Sequence, residues 1–266
     1  MRYQPTDPRY DDPDAVMRHA NRYKGGKALV LLGGYSLERW QEVYAEIQPD
    51  VLIGANGVNG VVQDLDYWLI AENMTRSDGL ARKGDANSIA LMEMFHRDAG
   101  AKTKLVSHRS WKLLKDTTNC ISIRRQGWEI DEIPKDYTLR EYGMGYLAGW
   151  LLKHKDAGAA VHVGTVGAQC IHHAAILGCK EIHTIGFDLM FRNHEKHHAY
   201  EYPTYKVDKF RAPSMFVNYQ GVPTQWVWVE TCQFLKAMEP QFKRDGIDWI
   251  DHSDGLLKIE GLRCAR

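Results

Sequence analysis

The sequence predicts an α/β fold with a mostly parallel sheet, helices on both faces and a partly irregular lid region. Lys27–Leu32 is a short apolar stretch that reads as a strand, and glycines and an amphipathic segment follow it. Glu181–Ile185 is a second stretch of this kind, and an apolar helical segment precedes it. Alternating strands and helices are typical of parallel sheets, because each helix crosses back over the sheet. The expected fold is therefore Rossmann-like.

The chain divides into a polar start and one large domain. We expect residues 1–26 to form an N-terminal arm and a short helix, and residues 27–260 to form a single Rossmann-like domain. Within it, 109–142 and 189–222 are expected to be lid or insert segments. A length of 266 residues suits one domain with a small insertion. The arm is rich in proline and aspartate, unlike a secretory signal.

A glycine turn follows the first predicted strand. Ser36 is expected to cap a helix from Leu37 to about Ile47. The Gly33–Ser36 turn, with Gly33, Gly34 and Ser36, then predicts a phosphate cradle, because backbone N–H groups at a helix start attract anions. The turn is not G-x-G-x-x-G and lacks the lysine of a Walker loop. Tight turns also use glycine for steric reasons alone, so that interpretation stays open.

Polar residues follow the next two predicted strands. Val51–Ile53 leads to Asn56, and Tyr67–Ile70 leads to Glu72 and Asn73. The carboxyl ends of parallel strands meet at one edge of a sheet. We therefore expect Asn56, Glu72 and Asn73 to line a polar crevice and to hydrogen-bond a ribose, a base or an acceptor.

The remaining elements follow from hydrophobic periodicity. Apolar spacing predicts three further helices and two further strands, and one short segment is ambiguous between half of a hairpin and an edge strand. The helices are Asp85–Asp98, Glu141–His154 and Thr224–Arg244, the strands are Lys104–Ser107 and Ile247–Ile250, and the ambiguous segment is Cys120–Arg124.

The helix and strand before Asp188 form the most informative unit. Thr165 and Gly167 open the helix, where unpartnered N–H groups favour a phosphate, and Gly178 ends it. Asp188 lies just past the carboxyl end of Glu181–Ile185, where open α/β sheets bind ligands. It would bind a metal or orient a ligand hydroxyl. An ordinary helix–strand unit of an α/β core explains the same pattern, and that alternative stays open.

Residues 194–198 read HEKHH and match the zinc-protease signature H-E-x-x-H. That chemistry needs both histidines on a helix that packs into a core. The flanking residues show no amphipathic stripe and a proline follows, which argues against a zinc protease. One of His194, His197 and His198 would instead act as a general base near neutral pH, or contact a phosphate when protonated. A solvated polar loop is the alternative.

The order LVLLGGYSL, IGANGV, DYWLIAEN and VGTVGAQCIHHAAILGCKEIHTIGFDL resembles a family of Rossmann-like transferases. That family includes archaeal 6-hydroxymethylpterin diphosphokinases and the motility accessory factors thought to glycosylate flagellin. The sequence is similar, more distantly, to bacterial sialyltransferases that use CMP-sialic acid. Tyr35 stands where that family usually has proline. The matching positions include Asn56, Gly178, Ile185, Gly186 and Asp188.

The resemblance implies a transferase that uses a nucleotide-bearing donor. Glycosyl transfer from a CMP-linked sugar is the first expectation, with Asp188 and one loop histidine, His198 by preference, as catalytic residues. No metal or other cofactor is required for that reaction. The alternatives are pyrophosphoryl transfer from ATP to a pterin alcohol, which would need Mg²⁺, and a nucleotide-binding module without catalysis.

Composition limits the partners. The chain has 34 basic and 34 acidic side chains, and this zero formal net charge argues against a dedicated nucleic-acid binder. The sequence contains no run of about 18 apolar residues, so we expect no membrane-spanning helix. Five cysteines without a CxxC pair suit reduced thiols and a cytoplasmic location. The expected partners are a nucleotide-linked donor and a hydroxyl-bearing acceptor. The sequence leaves open whether the protein forms a homo-oligomer.

Overall fold

The structure is a computed structural model that describes residues 18–70, 103–107, 119–123, 125–126, 160–161, 165–191 and 216–265. These residues include eleven strands. Seven of them form one sheet, and the other four form two short pairs. They are β1 (Lys27–Leu31), β2 (Val51–Ala55), β3 (Tyr67–Ile70), β4 (Thr103–Ser107), β5 (Cys120–Ile123), β6 (Arg125–Gln126), β7 (Ala160–Val161), β8 (Glu181–Ile185), β9 (Phe216–Tyr219), β10 (Val222–Gln225) and β11 (Asp248–Asp251).

The seven-stranded sheet has the order β11-β8-β1-β2-β3-β4-β5, and every neighbouring pair is parallel. In register, Leu31 of β1 lies between Ile185 of β8 and Gly54 of β2. The chain moves outward from β1 to β5 and then returns to β8 on the other side of β1. The strand order therefore reverses between β1 and β8, which is the point where sheets of this kind bind ligands.

Two cores cover the two faces of the sheet. The helices are α1 (Trp40–Ile47), α2 (Val166–Ile176), α3 (Trp226–Arg244) and α4 (Leu256–Ile259). Val30 and Ile182 face a core that contains buried residues of α2, α3 and α4. Leu29 and Ile185 face a second core with Val43 of α1. This alternation along each strand confirms the predicted Rossmann-like α/β fold, with helices on both faces.

The helix after β1 differs from the prediction. A 3₁₀ helix spans Tyr35–Arg39, and α1 begins only at Trp40. Gly34 occupies the N-cap position of the 3₁₀ helix, which has no side-chain cap. The expectation that Ser36 caps a helix starting at Leu37 is therefore wrong. The physical reason is that the Ser36 hydroxyl forms hydrogen bonds with Asp188 and Gly186 instead.

A β-hairpin stands where the sequence predicted the end of a lid segment and the start of a helix. β9 and β10 pair antiparallel, and Gln220 and Gly221 form their turn with φ of 52° and 82°. Two successive positive φ angles suit the tight turns of hairpins. The helix expected from Thr224 begins at Trp226 instead, because Thr224 belongs to β10.

The ambiguous segment near residue 120 is an edge strand. β5 pairs parallel with β4 in the main sheet, and the two-residue strands β6 and β7 pair with each other. The rest of 109–142 lies outside the described residues, as do the predicted helices Asp85–Asp98 and Glu141–His154.

The end of α2 follows the sequence prediction. Gly178 has a φ of 87° and donates its N–H to the carbonyl oxygen of Ala175 at 3.0 Å, while the Cys179 N–H reaches that of Ala174 at 3.2 Å. This pair of bonds is the Schellman arrangement that a glycine favours. All five cysteines are free thiols. Among the described residues, no helix combines the length and apolar character needed to cross a membrane.

Candidate functional site

Asp188 connects the loop after β8 to the turn after β1. Its Oδ2 accepts hydrogen bonds from the backbone N–H and the hydroxyl of Ser36, each at 3.0 Å. The Ser36 hydroxyl oxygen in turn accepts the N–H of Gly186 at 3.0 Å. Asp188 and Ser36 are both buried. Hydrogen bonds of the Asp188 carboxylate and the Ser36 hydroxyl therefore connect the two loops at the switch point.

The glycines of these loops allow the close approach. A Cβ on Gly34 would lie 2.1 Å from Oδ2 of Asp188 and 2.6 Å from the carbonyl oxygen of Gly186. Gly186 has a φ of 77°, and a Cβ there would lie 2.0 Å from the carbonyl oxygen of Leu32. Both glycines are therefore required by the chain's own packing. The Ser36 N–H that we expected to cradle a phosphate already binds the Asp188 carboxylate.

A second hydroxyl holds the loop after β8 from the opposite side. Ser253 accepts the N–H of Phe187 at 2.8 Å and donates its hydroxyl to Oδ1 of Asp251 at 3.0 Å. The Thr184 hydroxyl donates to the same oxygen at 2.6 Å. Asp251 is fully buried, and burial raises its pKa to about 7. Phe187 is thus positioned by a polar network that starts from the last strand.

The turn after β11 also packs directly against Asp188. The Leu256 N–H donates to the Asp188 carbonyl oxygen at 2.8 Å. A Cβ on Gly255 would lie 1.8 Å from that same oxygen, so no other residue fits there without a backbone shift. The loop after β8 is therefore held between the turns that follow its two neighbouring strands.

Arg39 joins those two turns across the edge of the sheet. Its guanidinium donates to the His252 carbonyl oxygen at 3.1 Å and to Oδ2 of Asp254 at 2.7 Å. The His252 side chain contacts β8: its Nε2 lies 2.8 Å from Nδ1 of His183. The Nε2 of His183 in turn lies 2.8 Å from Oε1 of Glu181. Because a carboxylate only accepts, His183 donates from its Nε2 to Glu181.

The start of α2 packs on the loop after β8. A Cβ on Gly167 would lie 2.5 Å from the Phe187 ring and 2.8 Å from a methyl of Leu32, so this glycine lets the helix approach closely. Thr165 is the extended N-cap residue of α2, but its side chain makes no capping bond. Its Oγ1 is buried and has no hydrogen-bond partner within the described part of the chain.

Asp188 combines burial with incomplete hydrogen bonding. Burial raises its pKa, and the two bonds from Ser36 act in the opposite direction, as do the nearby backbone amides of Asp188 and Asp254. Its Oδ1 accepts no hydrogen bond of good geometry from the residues that the structure describes. Asp188 therefore offers a buried acceptor atom at the switch point.

The structure brings together part of the predicted site. Gly34, Ser36 and Asp188 are in contact, and Thr165 and Gly167 lie at the helix start that packs on Phe187. The loop of Asp188 contacts the Gly33 turn as well, since Leu32 and Gly34 donate their N–H groups to Ile185 and Gly186. Other predicted site residues lie outside the described residues: Glu72, Asn73, His194, His197 and His198.

Asn56 begins a 3₁₀ helix, Asn56–Gly60, directly after β2. It has a φ of 46°, a conformation that asparagine tolerates better than most residues. Its carbonyl oxygen accepts the indole N–H of Trp68 at 2.7 Å. Asn56 therefore lies at the carboxyl edge of the sheet, one strand away from the switch point.

Sequence reasoning missed the contributions of the last strand and of Arg39. Asp251, Ser253 and Gly255 belong to the stretch IDHSDG, which follows an apolar strand. The available signal was a carboxylate, a hydroxyl and a glycine at the carboxyl end of a parallel strand. The carboxyl ends of parallel strands lie at the same edge of the sheet, so these residues could have been expected near Asp188. The partner of Arg39 lies 215 positions away and left no local signal.

Among the described residues, no group of three or more histidines, cysteines or carboxylates has a geometry that could hold a metal ion. No protein-family model, curated protein or solved structure matches this chain.

Proposed function

We propose that the protein is a transferase that binds a nucleotide-bearing donor in the crevice between the carboxyl ends of β1 and β8. Glycosyl transfer from a CMP-linked sugar is the favoured reaction, in line with the resemblance of the sequence. One observation carries the proposal: the switch point holds two buried polar atoms without a protein partner in the described chain, Thr165 Oγ1 and Asp188 Oδ1. Such atoms are expected where a ligand completes the hydrogen bonding.

The amino end of α2 is the better phosphate site of the two that the sequence predicts. In the turn after β1, the N–H and hydroxyl of Ser36 are occupied by Asp188. α2 spans 11 residues, and its first N–H groups have no intrahelical acceptor. The Thr165 hydroxyl adds a donor at the same end. A donor phosphate would therefore bind at Thr165 and Gly167, beside the Gly33–Ser36 turn.

Asp188 would supply the complementary contact. Its Oδ1 can accept a hydrogen bond, and the hydroxyl of a ribose or a sugar can donate one. In the proposed reaction, one of His194, His197 and His198 would remove the proton of the acceptor hydroxyl. That oxygen would then form the new glycosidic bond while the bond between the sugar and the CMP phosphate breaks. The amino end of α2 would stabilise the departing phosphate.

Two threonine variants test the phosphate site. The Thr165 hydroxyl has no partner in the described protein, so Thr165→Val should leave the free energy of unfolding unchanged or raise it slightly. The same change should weaken nucleotide binding by about tenfold, the value of one lost hydrogen bond to a phosphate. Thr165→Ser keeps the hydroxyl and should bind as the wild type does.

The measurement is a thermal-shift screen with CMP, CDP, UDP, GDP, AMP and ATP, with and without Mg²⁺, because a ligand of the native state raises its Tm. We expect cytidine nucleotides to give the largest shift. Equal nucleotide affinity in Thr165→Val would refute the phosphate site, and no shift with any nucleotide would refute the proposed function.

The reaction itself is tested by product analysis. Release of free CMP from CMP-sialic acid should persist in EDTA, because no metal needs to bridge a diphosphate. AMP formation from ATP that requires both Mg²⁺ and a pterin alcohol would instead establish pyrophosphoryl transfer. Nucleotide binding without either product would indicate a binding module.

A further inference from the structure

Gln225 is a buried amide at the amino end of the longest described helix. It is the last residue of β10, and α3 begins at the next residue. The residue is buried, with only 4% of its surface exposed. Its Nε2 donates no hydrogen bond to any residue that the structure describes. A buried N–H group without an acceptor costs free energy, so this position calls for an explanation.

Several contacts fix Gln225 beside the loop that follows Asp188. The hydroxyl of Thr224 donates to the Leu189 carbonyl oxygen at 2.6 Å. The Phe191 N–H donates to the Pro223 carbonyl oxygen at 2.9 Å, and the Phe191 ring packs on Trp228 at 4.8 Å between centroids. The end of β10 and the first turn of α3 therefore adjoin the chain as it leaves the switch point.

The chemistry of this helix end favours an anion. α3 spans 19 residues, and its first N–H groups have no intrahelical acceptor, which gives the amino end a partial positive charge. The carboxamide Nε2 of Gln225 adds two N–H donors. Donors without acceptors, next to a positive helix end, match a carboxylate or a phosphate. An apolar side chain of similar size would bury the same surface without an unpaired donor.

We propose that Gln225 and the first turn of α3 form a second anion-binding site, which binds a carboxylate or phosphate of the ligand held at the switch point. The inference rests on the proposed function, in which α2 binds the donor phosphate at Thr165. Two helix ends then imply a ligand with two anionic groups. A nucleoside diphosphate carries two phosphates, and a CMP-linked acidic sugar carries one phosphate and one carboxylate.

Three ligands distinguish these sources: CMP, with one phosphate; CDP, with two; and CMP-sialic acid, with a phosphate and a carboxylate. The full-length wild type should bind CDP or CMP-sialic acid at least about tenfold more tightly than CMP by calorimetry. Gln225→Met should abolish that advantage and leave CMP affinity within about twofold. Gln225→Glu should weaken the two-anion ligand further, because it places a negative charge at the site. Thr165→Val is the matched comparison and should weaken all three ligands.

The outcomes separate the two proposals. If the wild type binds the two-anion ligand and Gln225→Met binds it equally well, the second site is wrong and the proposed function stands. If the wild type binds none of the three ligands, the second site and the favoured cytidine donor are both wrong. Stability gives an independent check, since Gln225→Met should keep or raise the Tm. A fall of more than about 5 °C would show that the amide serves the fold and would overturn the inference.

Discussion

Replacing Ser36 with alanine removes the hydroxyl that fastens the turn after β1 to the loop after β8. Two bonds are lost, the donation to Oδ2 of Asp188 and the acceptance from the Gly186 N–H, each 3.0 Å long. A hydrogen bond to a carboxylate contributes about 1.5–3 kcal/mol, and a buried N–H left without an acceptor costs about 1–3 kcal/mol. The Ser36 N–H still reaches Asp188, so we expect a net loss of about 3 kcal/mol in the free energy of unfolding.

Urea unfolding at pH 8 measures this loss, with a lower midpoint and an unchanged slope. Thr165→Val is the control, because it removes a buried hydroxyl that has no partner in the described chain and should cost nothing. In an Asp188→Asn background, Ser36→Ala should cost less, since the charge-assisted bond is already weakened. A cost below about 1 kcal/mol, typical of a helix cap alone, would refute the role of Ser36.

Three further variants test the surroundings of the site. In Gly255→Ala, the new Cβ would lie 1.8 Å from the Asp188 carbonyl oxygen and would force a backbone shift. We expect this variant to lose several kcal/mol, roughly, in the free energy of unfolding. An unchanged urea midpoint would contradict this. Burial, with His183 and Arg39, lowers the pKa of His252 from 6.5 to about 4, so the contribution of His252 to stability should be lost as the pH falls from 6.5 toward 4. His252→Gln should remove this loss, so its stability in urea should fall less, or rise more, than that of the wild type as the pH falls from 6.5 toward 4. An equal slope in both proteins would refute the assignment. Burial raises the pKa of Asp251 from 3.8 to about 7, so its contribution to stability should fall as the pH rises from 4 to 7, and Asp251→Asn should remove that fall. An Asp251→Asn profile parallel to that of the wild type would contradict this.

The sheet could be predicted from sequence because its strands are short apolar runs with glycine or helix signals beside them. Periodicity alone gave β1, β8 and β11 within one residue of their observed bounds. The hairpin of β9 and β10 was missed, because its strands carry no clear alternation and its turn reads Gln220-Gly221 rather than Asn-Gly. Hydrogen bonding within the hairpin, and with the loop after β8, stabilises it.

The sequence predicted where Asp188 and the turn after β1 lie in the fold, but not the bond between them. Asp188 and the Gly33–Ser36 turn were both placed at the carboxyl edge from local patterns. Their bond joins residues 152 positions apart, and no local pattern carries that information. The glycine turn was interpreted as a ligand cradle, whereas Gly34 is required by Asp188 itself. Glycine is required both where two loops approach closely and where a ligand approaches the backbone, so sequence alone cannot distinguish these two roles.

An NMR titration with CMP tests most directly whether a nucleotide binds at the switch point between β1 and β8. Backbone amide shifts are followed in the uniformly ¹⁵N-labelled protein as CMP is added. We expect the largest changes on Thr165–Gly167, on the Gly33–Ser36 turn and on Gly186–Asp188. Thr165→Val should reduce these changes at equal CMP concentration. Changes confined to the opposite edge of the sheet, or none at saturating CMP, would contradict it.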